Sequence, residues 1–429
     1  MSPHDYSFYF CVFELALFLV DAILLIKKDD SEFVGFNLLF TIAFLGANYV
    51  YPVLVYPILP QYSLFVYEIN YDVISKSTAL ATMAYCIYAY GYSCQLMGVG
   101  EKKPNIESIS ILDYRQMRLV TIVEILLLIL FVSLGGLNMF SEMYSHDENS
   151  SNPIVSFLYL IFYNFTLFFS ITNIDLKDKL GVSILLAVIS LLFLTGTRTL
   201  PLLVISILFC SFCYKYSLSR KKVITLLLLG FVLLSVVGKL RGGEMSSSKE
   251  EMNRELGFVS AAEDFIVVNR NLYDIYQHVQ EDGITYGVSS LSYIVSVVPF
   301  AQSVISKVFD IPEYEMRSES LVTYWNLGED STLGLGTNIV GDVYLSFGLL
   351  GVIVLFYFLG RIVVYTRNGA FCGNWISFVV YYVLISGAIF MCRGSFFYSF
   401  KNIIWTLGFM YFFMRINIKI DDNKNEIDE

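Results

Sequence analysis

Leu333-Gly-Leu-Gly-Thr-Asn338, followed closely by Gly341-Asp-Val-Tyr-Leu-Ser-Phe-Gly-Leu-Leu-Gly351, marks the point where a long polar stretch, Lys239 to Gly336, gives way to sequence apolar enough for a lipid bilayer. From 338 the apolar run continues to 360, enough to cross roughly 30 Å of hydrocarbon as one helix. Within it, Asp342 lies about one turn inside. An acid at that depth is expensive unless it pairs or faces a polar cavity, which makes Asp342 a candidate site residue with an arginine as its natural partner. The glycines along the run also suit close helix packing, the simpler reading for Gly348 and Gly351.

The rest of the chain carries the same contrast. Hydrophobic residues make up 56% of the 429, charged residues only 15%, and the mean hydropathy is +0.63, values foreign to a soluble domain of this length. An all-α polytopic membrane protein is expected, with about eleven transmembrane helices, range about 10–12. They are read at 7–26, 34–56, 78–98, 118–138, 153–172, 180–195, 199–214, 222–238, 338–360, 373–391 and 395–414. Tyr6 to Ile26 lacks a basic lead and a cleavage pattern, so it reads as a retained helix.

Loop charge sets the orientation. Lys27 and Lys28, Lys102, Lys103, Arg115 and Arg118, Lys177 and Lys179, the 215–222 cluster, Arg361 and Arg367, and the basic tail all fall on one side, the cytoplasmic one by the positive-inside rule. The alternate loops are nearly free of Lys and Arg. The N-terminus is then outside, the C-terminus inside, and 239–336 forms one large extracytoplasmic loop. No internal repeat is visible, so 1–429 reads as a single membrane domain ending in a disordered acidic cytoplasmic tail, 421–429. A net charge of −10 without a basic stripe excludes nucleic acid as a partner. The seven cysteines avoid the polar stretch, which argues against a disulfide framework or a cysteine zinc site.

Inside the loop, Phe258 to Val279 has apolar residues at helical spacing on one face and Glu263, Arg270, Asp274 and His278 on the other. Leu291 to Phe309 is apolar but interrupted by Pro299, Gln302 and several serines; a half-buried or re-entrant helix suits it better than a span, because a crossing would carry the basic 361–367 segment outside.

Arginines on the outer side need a reason to be there. Arg198 lies in the hairpin Thr195-Gly-Thr-Arg-Thr-Leu-Pro201, Arg241 in Lys239-Leu-Arg-Gly-Gly243, and Arg393 in Met391-Cys-Arg-Gly-Ser395. One such arginine is explained as well by snorkelling to headgroups. Three beside Gly, Thr and Ser point to an anion such as a lipid-linked phosphate or diphosphate, which guanidinium forks and backbone N–H groups bind together. His278, with Asp274 one turn before it, is a candidate general base; an ordinary surface charge pair is the competing reading, and Glu263, Asp264, Glu281 and Glu313 are rival bases. Arg270, Asp274 and Glu263 are candidate sugar-binding or supporting residues. The loop has no Asp-x-Asp, His-x-x-x-His or EF-hand spacing, and the chain no nucleotide-binding motif, so no metal and no cofactor are expected.

Gly196-Thr-Arg198, Arg241-Gly-Gly243, Gly341-Asp-Val-Tyr-Leu-Ser-Phe-Gly348 and Arg393-Gly-Ser395, in that order, resemble the Wzy-type O-antigen and oligosaccharide repeat-unit polymerases of bacterial envelopes, as does the architecture over most of the chain. The resemblance implies a C-type glycosyltransferase in the bacterial inner membrane. It would join units carried on undecaprenyl diphosphate at the outer face, with arginines on the diphosphates, and its large loop would be periplasmic. Implied partners are the lipid-linked oligosaccharide, membrane lipids, a chain-length regulator and a flippase. Where that family tends to carry Glu, this chain has the shorter Asp342. The related O-antigen ligases use a loop histidine as base, a role His278 takes only by analogy. A ligase is the alternative enzyme and a flippase or other transporter the alternative class; charges gathered at the outer face, with no matching halves, favour the enzyme.

Overall fold

The computed structural model describes residues 3–28, 34–57, 71–99, 112–137, 153–194, 199–216, 218–219, 221–227, 257–328, 331 and 334–416, and among them every regular element is helical. The helices are α1 (Pro3–Lys28), α2 (Phe36–Tyr49), α3 (Tyr71–Val99), α4 (Tyr114–Ser133), α5 (Pro153–Thr172), α6 (Lys179–Leu194) and α7 (Thr199–Lys215). After the polar stretch begins come α8 (Gly257–Asp282), α9 (Leu291–Val295), α10 (Ala301–Phe309) and α11 (Ser318–Leu327), then α12 (Ile339–Phe371), α13 (Trp375–Arg393) and α14 (Tyr398–Arg415). Among the described residues, six helices are long and apolar enough to cross a membrane: Tyr6–Lys28, Phe36–Val55, Tyr114–Ser133, Ile154–Thr172, Ile339–Phe371 and Trp375–Arg393. The apolar helices α6 and α7 are shorter. Of the expected span 222–238 only 222–227 is described, and it is helical.

α3 and α14 coincide with expected spans 78–98 and 395–414 without being apolar enough to count among the six. For α3 the reason is its surroundings. It packs between α1 and α12, and its polar groups bond to neighbours: Tyr49 Oη and Thr82 Oγ1 are 2.8 Å apart, as are Thr41 Oγ1 and Tyr85 Oη. A helix enclosed by protein needs hydrogen-bond partners, not hydrocarbon compatibility. Its approach to α12 is backbone to backbone, since a β-carbon on Gly91 would fall 2.2 Å from the Tyr357 carbonyl oxygen.

By its contacts the chain divides into two compact units, one comprising 1–104 and 212–401, the other 105–211 and 402–429. In the second, α4 lies against α5, and Phe165 and Phe168 meet the rings of Phe409 and Phe413. The buried Glu124, midway along α4, accepts a 2.7 Å bond from Thr166 Oγ1 of α5.

In the first unit α2 changes to a π-helix over Val50–Val55, which contains Pro52. In the π register the Pro52 nitrogen would bond the Ala47 carbonyl, but proline has no N–H to give. Asn269 of α8 supplies the missing donor: its Nδ2 reaches Ala47 O at 2.9 Å. The amphipathic helix expected at 258–279 is thus a long helix, and its polar side is drawn inward as well as its apolar one. Asn269, Arg270 and Asn271 are as buried as Leu272 and Ile275.

Leu291–Phe309 divides into α9 and α10, of 5 and 9 residues, separated by a bend at Phe300 with φ 63°. At about 1.5 Å per residue neither can cross the bilayer. The loop before them clasps α12 where that helix is broken. Gly348 adopts φ 65°, ψ −162°, and the N–H groups of Thr285 and Gly287 bond the carbonyls of Leu345 and Ser346 at 2.8 and 2.9 Å. That backbone region is open essentially to glycine alone, at a cost of about 1–3 kcal/mol for any other residue. Gly348→Val is therefore expected to lower the thermal unfolding midpoint of purified protein, whereas Leu350→Ala, on the exposed flank of α12, is expected to leave it unchanged; equal midpoints for Gly348→Val and wild type would refute the clasp.

Candidate active site

Asp342 sits in the first turn of α12, which Asn338 caps through bonds from Val340 N (2.9 Å) and Gly341 N (3.4 Å). Asn338 is itself held by Nδ2 to Asn48 Oδ1, 3.0 Å. The Asp342 carboxylate is wholly buried and fully engaged: Oδ1 accepts from Ser318 Oγ at 2.6 Å, and Oδ2 from Ser395 Oγ at 2.7 Å and from the Phe396 N–H at 2.9 Å. One acid thus ties the start of α11 and the α13–α14 turn to the start of α12. One turn further on, Ser346 Oγ lies 2.9 and 2.7 Å from the hydroxyls of Ser289 and Ser290, which extends the polar seam.

What the clasp gathers is a charged cluster. Ser318 is preceded by Arg317 and followed by Glu319; Ser395 is preceded by Arg393 and Gly394. Glu319 Oε1 would stand only 2.9 Å from a β-carbon on Gly394, so the carboxylate lies against the backbone beside Arg393. Burial pushes the Glu319 pKa up from its usual 4.5; the Arg317 guanidinium opposes this, Asp342 reinforces it, and Arg393 again opposes it. Arg393 is exposed while Arg317 and Glu319 are half-buried, leaving the cluster open on one side. Behind it, Arg317 Nε donates to Ser292 Oγ at 2.8 Å, and Ser292 Oγ donates to Gln302 Oε1 at 2.6 Å. The Arg393 carbonyl is fixed by the Thr337 N–H at 3.1 Å, and Asn271 Nδ2 holds the carbonyls of Leu335 and Gly336 at 3.0 and 3.1 Å. The Gly-rich lead-in to α12 is therefore the support of Arg393. Lys401, early in α14, is close enough to interact electrostatically with Arg317.

The polar stripe of α8 is a separate group. His278 stacks on Trp325 of α11 with centroids 3.9 Å apart and planes 4° from parallel. Its Nδ1 lies 3.0 Å from the Asp274 carbonyl oxygen, which can only accept, so in the neutral ring Nδ1 carries the hydrogen and Nε2 keeps the lone pair. Asp274 Oδ2 accepts from Asn326 Nδ2 at 2.9 Å; burial raises this carboxyl, against the pull of Asn326, Arg270 and His278. Burial likewise lowers the Arg270 pKa, with Asp274 and Tyr51 opposing. Trp325 and Ser318 are seven residues apart on α11, about two turns, so the His278 stack and the Asp342 clasp meet one side of that helix roughly 10 Å apart along its axis.

Of the residues singled out from sequence, Asp342 and Arg393 share the cluster, and His278, Asp274 and Arg270 form the adjoining stripe. Arg198, Arg241 and the side chain of Glu263 lie outside the described residues. Sequence reasoning passes over Arg317 and Glu319, because charges in a polar stretch are unremarkable there. The polar stretch also holds Lys239, Arg241, Lys249, Arg254, Arg270 and Lys307, so a basic residue two positions before an acid carries no distinguishing signal there. Two guanidiniums flanking a carboxyl of raised pKa can neutralise an oxyanion while the carboxylate accepts a proton.

No curated protein and no solved structure matches the chain significantly. The family model of O-antigen polysaccharide polymerase Wzy matches residues 4–423, nearly the whole length, and with the helical membrane architecture this places the chain in the O-antigen polysaccharide polymerase Wzy family.

Proposed function

We propose that this multi-pass membrane protein joins oligosaccharide repeat units carried on undecaprenyl diphosphate, at the outer face of the bacterial cytoplasmic membrane and without a metal ion, and that the Arg317–Glu319–Arg393 cluster is where it does so. The observation that carries the reading is the Glu319 carboxylate lying against Gly394, next to Arg393, two residues from Arg317 and open on one side. In the reaction, an acceptor sugar hydroxyl attacks the anomeric carbon of the donor. Glu319 takes the hydroxyl proton, the new glycosidic C–O bond forms, and the bond from the anomeric carbon to the diphosphate breaks with its electron pair leaving on the phosphate oxygen. Arg317 and Arg393 neutralise that departing charge as it develops. Asp342, saturated with hydrogen bonds, positions these groups, and the work of the base moves from His278 to Glu319. The Trp325–His278 stack, with Asp274 beside it, offers the surface on which the sugars lie, Arg270 supports that stripe from within, and Glu263 remains a candidate. Arg198 and Arg241 remain candidates for the second diphosphate.

Purified protein in detergent, given a lipid-linked repeat unit, is expected to yield multi-unit glycan. A single transfer to a lipid A core acceptor would identify a ligase instead, and no product from an intact lipid substrate would sink the polymerase reading. Arg317→Ala and Arg393→Ala are each expected to reduce chain growth by about 100-fold or more, the usual cost of losing a donor to a developing oxyanion, with unchanged membrane insertion.

A further inference from the structure

In α10 none of the nine residues is buried; Ile305 is half-buried, but three other apolar side chains are largely exposed, Val304 at 58%, Val308 at 69% and Phe309 at 67%, with Val298 and Phe300 just ahead at 61% and 70%. The inner side of the helix is instead held by a polar bond, Gln302 to Ser292, and its C-terminus turns on the 2.8 Å bond from Ser306 Oγ to the Ile311 carbonyl. A short helix that spends its polar contacts inward and turns valine and phenylalanine outward is arranged for apolar surroundings, since scattered exposure is ordinary but five neighbouring side chains of this kind are not.

Depth identifies those surroundings. The turn Thr285–Gly287, which leads into α9 and α10, bonds to α12 at Leu345 and Ser346, and a β-carbon on Gly287 would lie 3.1 Å from the Phe347 ring. Phe347, Leu349 and Leu350 are 38%, 51% and 72% exposed on the outward flank of this membrane helix. Counting back from the exposed Arg361, Gly348 is thirteen residues away, roughly 20 Å along the axis and so inside the approximately 30 Å hydrocarbon layer. The loop therefore does not stand above the bilayer at this point; it meets α12 beside side chains that face lipid, and its own apolar patch continues that surface. Lys307, exposed on the flank of α10, is placed to reach phosphate headgroups as an interfacial lysine does.

We infer that α10 with residues 298–300 is a monotopic membrane anchor: it embeds in the leaflet on the loop side, with phospholipid acyl chains against Phe300, Val304, Val308 and Phe309. Through Gln302, Ser292 and Arg317 the anchor is bonded directly to the charged cluster, so the depth of the cluster is set by the lipid surface as well as by the spans. This goes beyond the polymerase reading and does not rest on it, because lipid contact is measurable on inactive protein.

The test is photolabelling of protein reconstituted in vesicles of phosphatidylethanolamine and phosphatidylglycerol doped with a phospholipid bearing a diazirine on its acyl chain, followed by mapping of adducts. Peptides covering 298–309 are expected to be labelled comparably to those covering Leu349 and Leu350. In Val304→Asp/Val308→Asp, labelling of 298–309 is expected to fall by about tenfold or more, as carboxylates resist hydrocarbon, while that of α12 persists and reports an intact fold. An unlabelled 298–309 beside a labelled α12 overturns the inference, as does oxidation of these side chains by hydroxyl radicals in the aqueous phase or their crosslinking to a second copy or another protein.

Discussion

Glu319→Gln is expected to abolish all but a trace of glycan polymerisation, a loss of about 100- to 10,000-fold in turnover, the range for removal of a positioned general base, while the protein elutes and unfolds as wild type. The amide keeps the size of the side chain and its place against Gly394 but cannot accept the acceptor's proton. The pH profile supplies a second signature. Burial raises the Glu319 pKa above its usual 4.5, and only the ionised form is a base, so the wild-type rate should climb as pH rises through that raised value. The residual rate of Glu319→Gln should lack this acid limb. A variant retaining a third or more of wild-type turnover, or keeping the same acid limb, would remove Glu319 from the mechanism and return attention to His278, whose Nε2 lone pair is the next candidate.

Asp342→Ala is expected to lower folding and activity together. It strips the acceptors from the hydroxyls of Ser318 and Ser395 and from the Phe396 N–H, all within 2.6–2.9 Å of the carboxylate, inside a fully buried seam. Each buried donor left without a partner costs about 1–3 kcal/mol, and here the three belong to two segments far apart in the chain, Ser318 at the start of α11 and Ser395 with Phe396 in the α13–α14 turn. The starts of α11 and α12 and the α13–α14 turn would separate, carrying Arg317, Glu319 and Arg393 apart. Reduced monodisperse yield and a lowered thermal midpoint alongside lost chain growth is the expected pattern, with Asp342→Asn intermediate because one acceptor oxygen survives. A well-folded, thermally normal but inactive Asp342→Ala would instead mean that the acid itself enters the chemistry, and the positioning role would be wrong.

These two residues differ in how readable they are from sequence. Asp342 stands out as a carboxylate one turn inside an apolar run, because a lone charge there has few affordable explanations. Arg393 is conspicuous as a cation on the side where loop charge is otherwise sparse. Glu319 and Arg317 carry no such mark: in a polar stretch a charge is ordinary, and neither periodicity nor spacing distinguishes a solvated Glu from one lodged against the backbone of residue 394. The stripe Arg270–Asp274–His278 is legible as one face of an amphipathic helix, but the pattern does not report that Arg270 is enclosed. Arg270 is enclosed beside Asn269, whose Nδ2 bonds the Ala47 carbonyl, a contact 222 residues apart in the chain that local pattern does not report.

Composition and length establish the solvent of the apolar segments. Hydrocarbon admits only long apolar helices with internally bonded backbones, so α1, α2, α4, α5, α12 and α13 are legible from composition and length. The break of Leu291–Phe309 into pieces too short to cross follows from its proline and polar residues. Which segments meet is settled by packing across the chain. Asp342, Ser318 and Ser395 converge across separations of 24 and 53 residues, and local pattern reports the medium around a helix, not the identity of its neighbours. The polar stretch that ends at Gly336 is therefore legible as a loop from its composition, and as part of a candidate site only once α12 has drawn Arg317, Glu319 and Arg393 together.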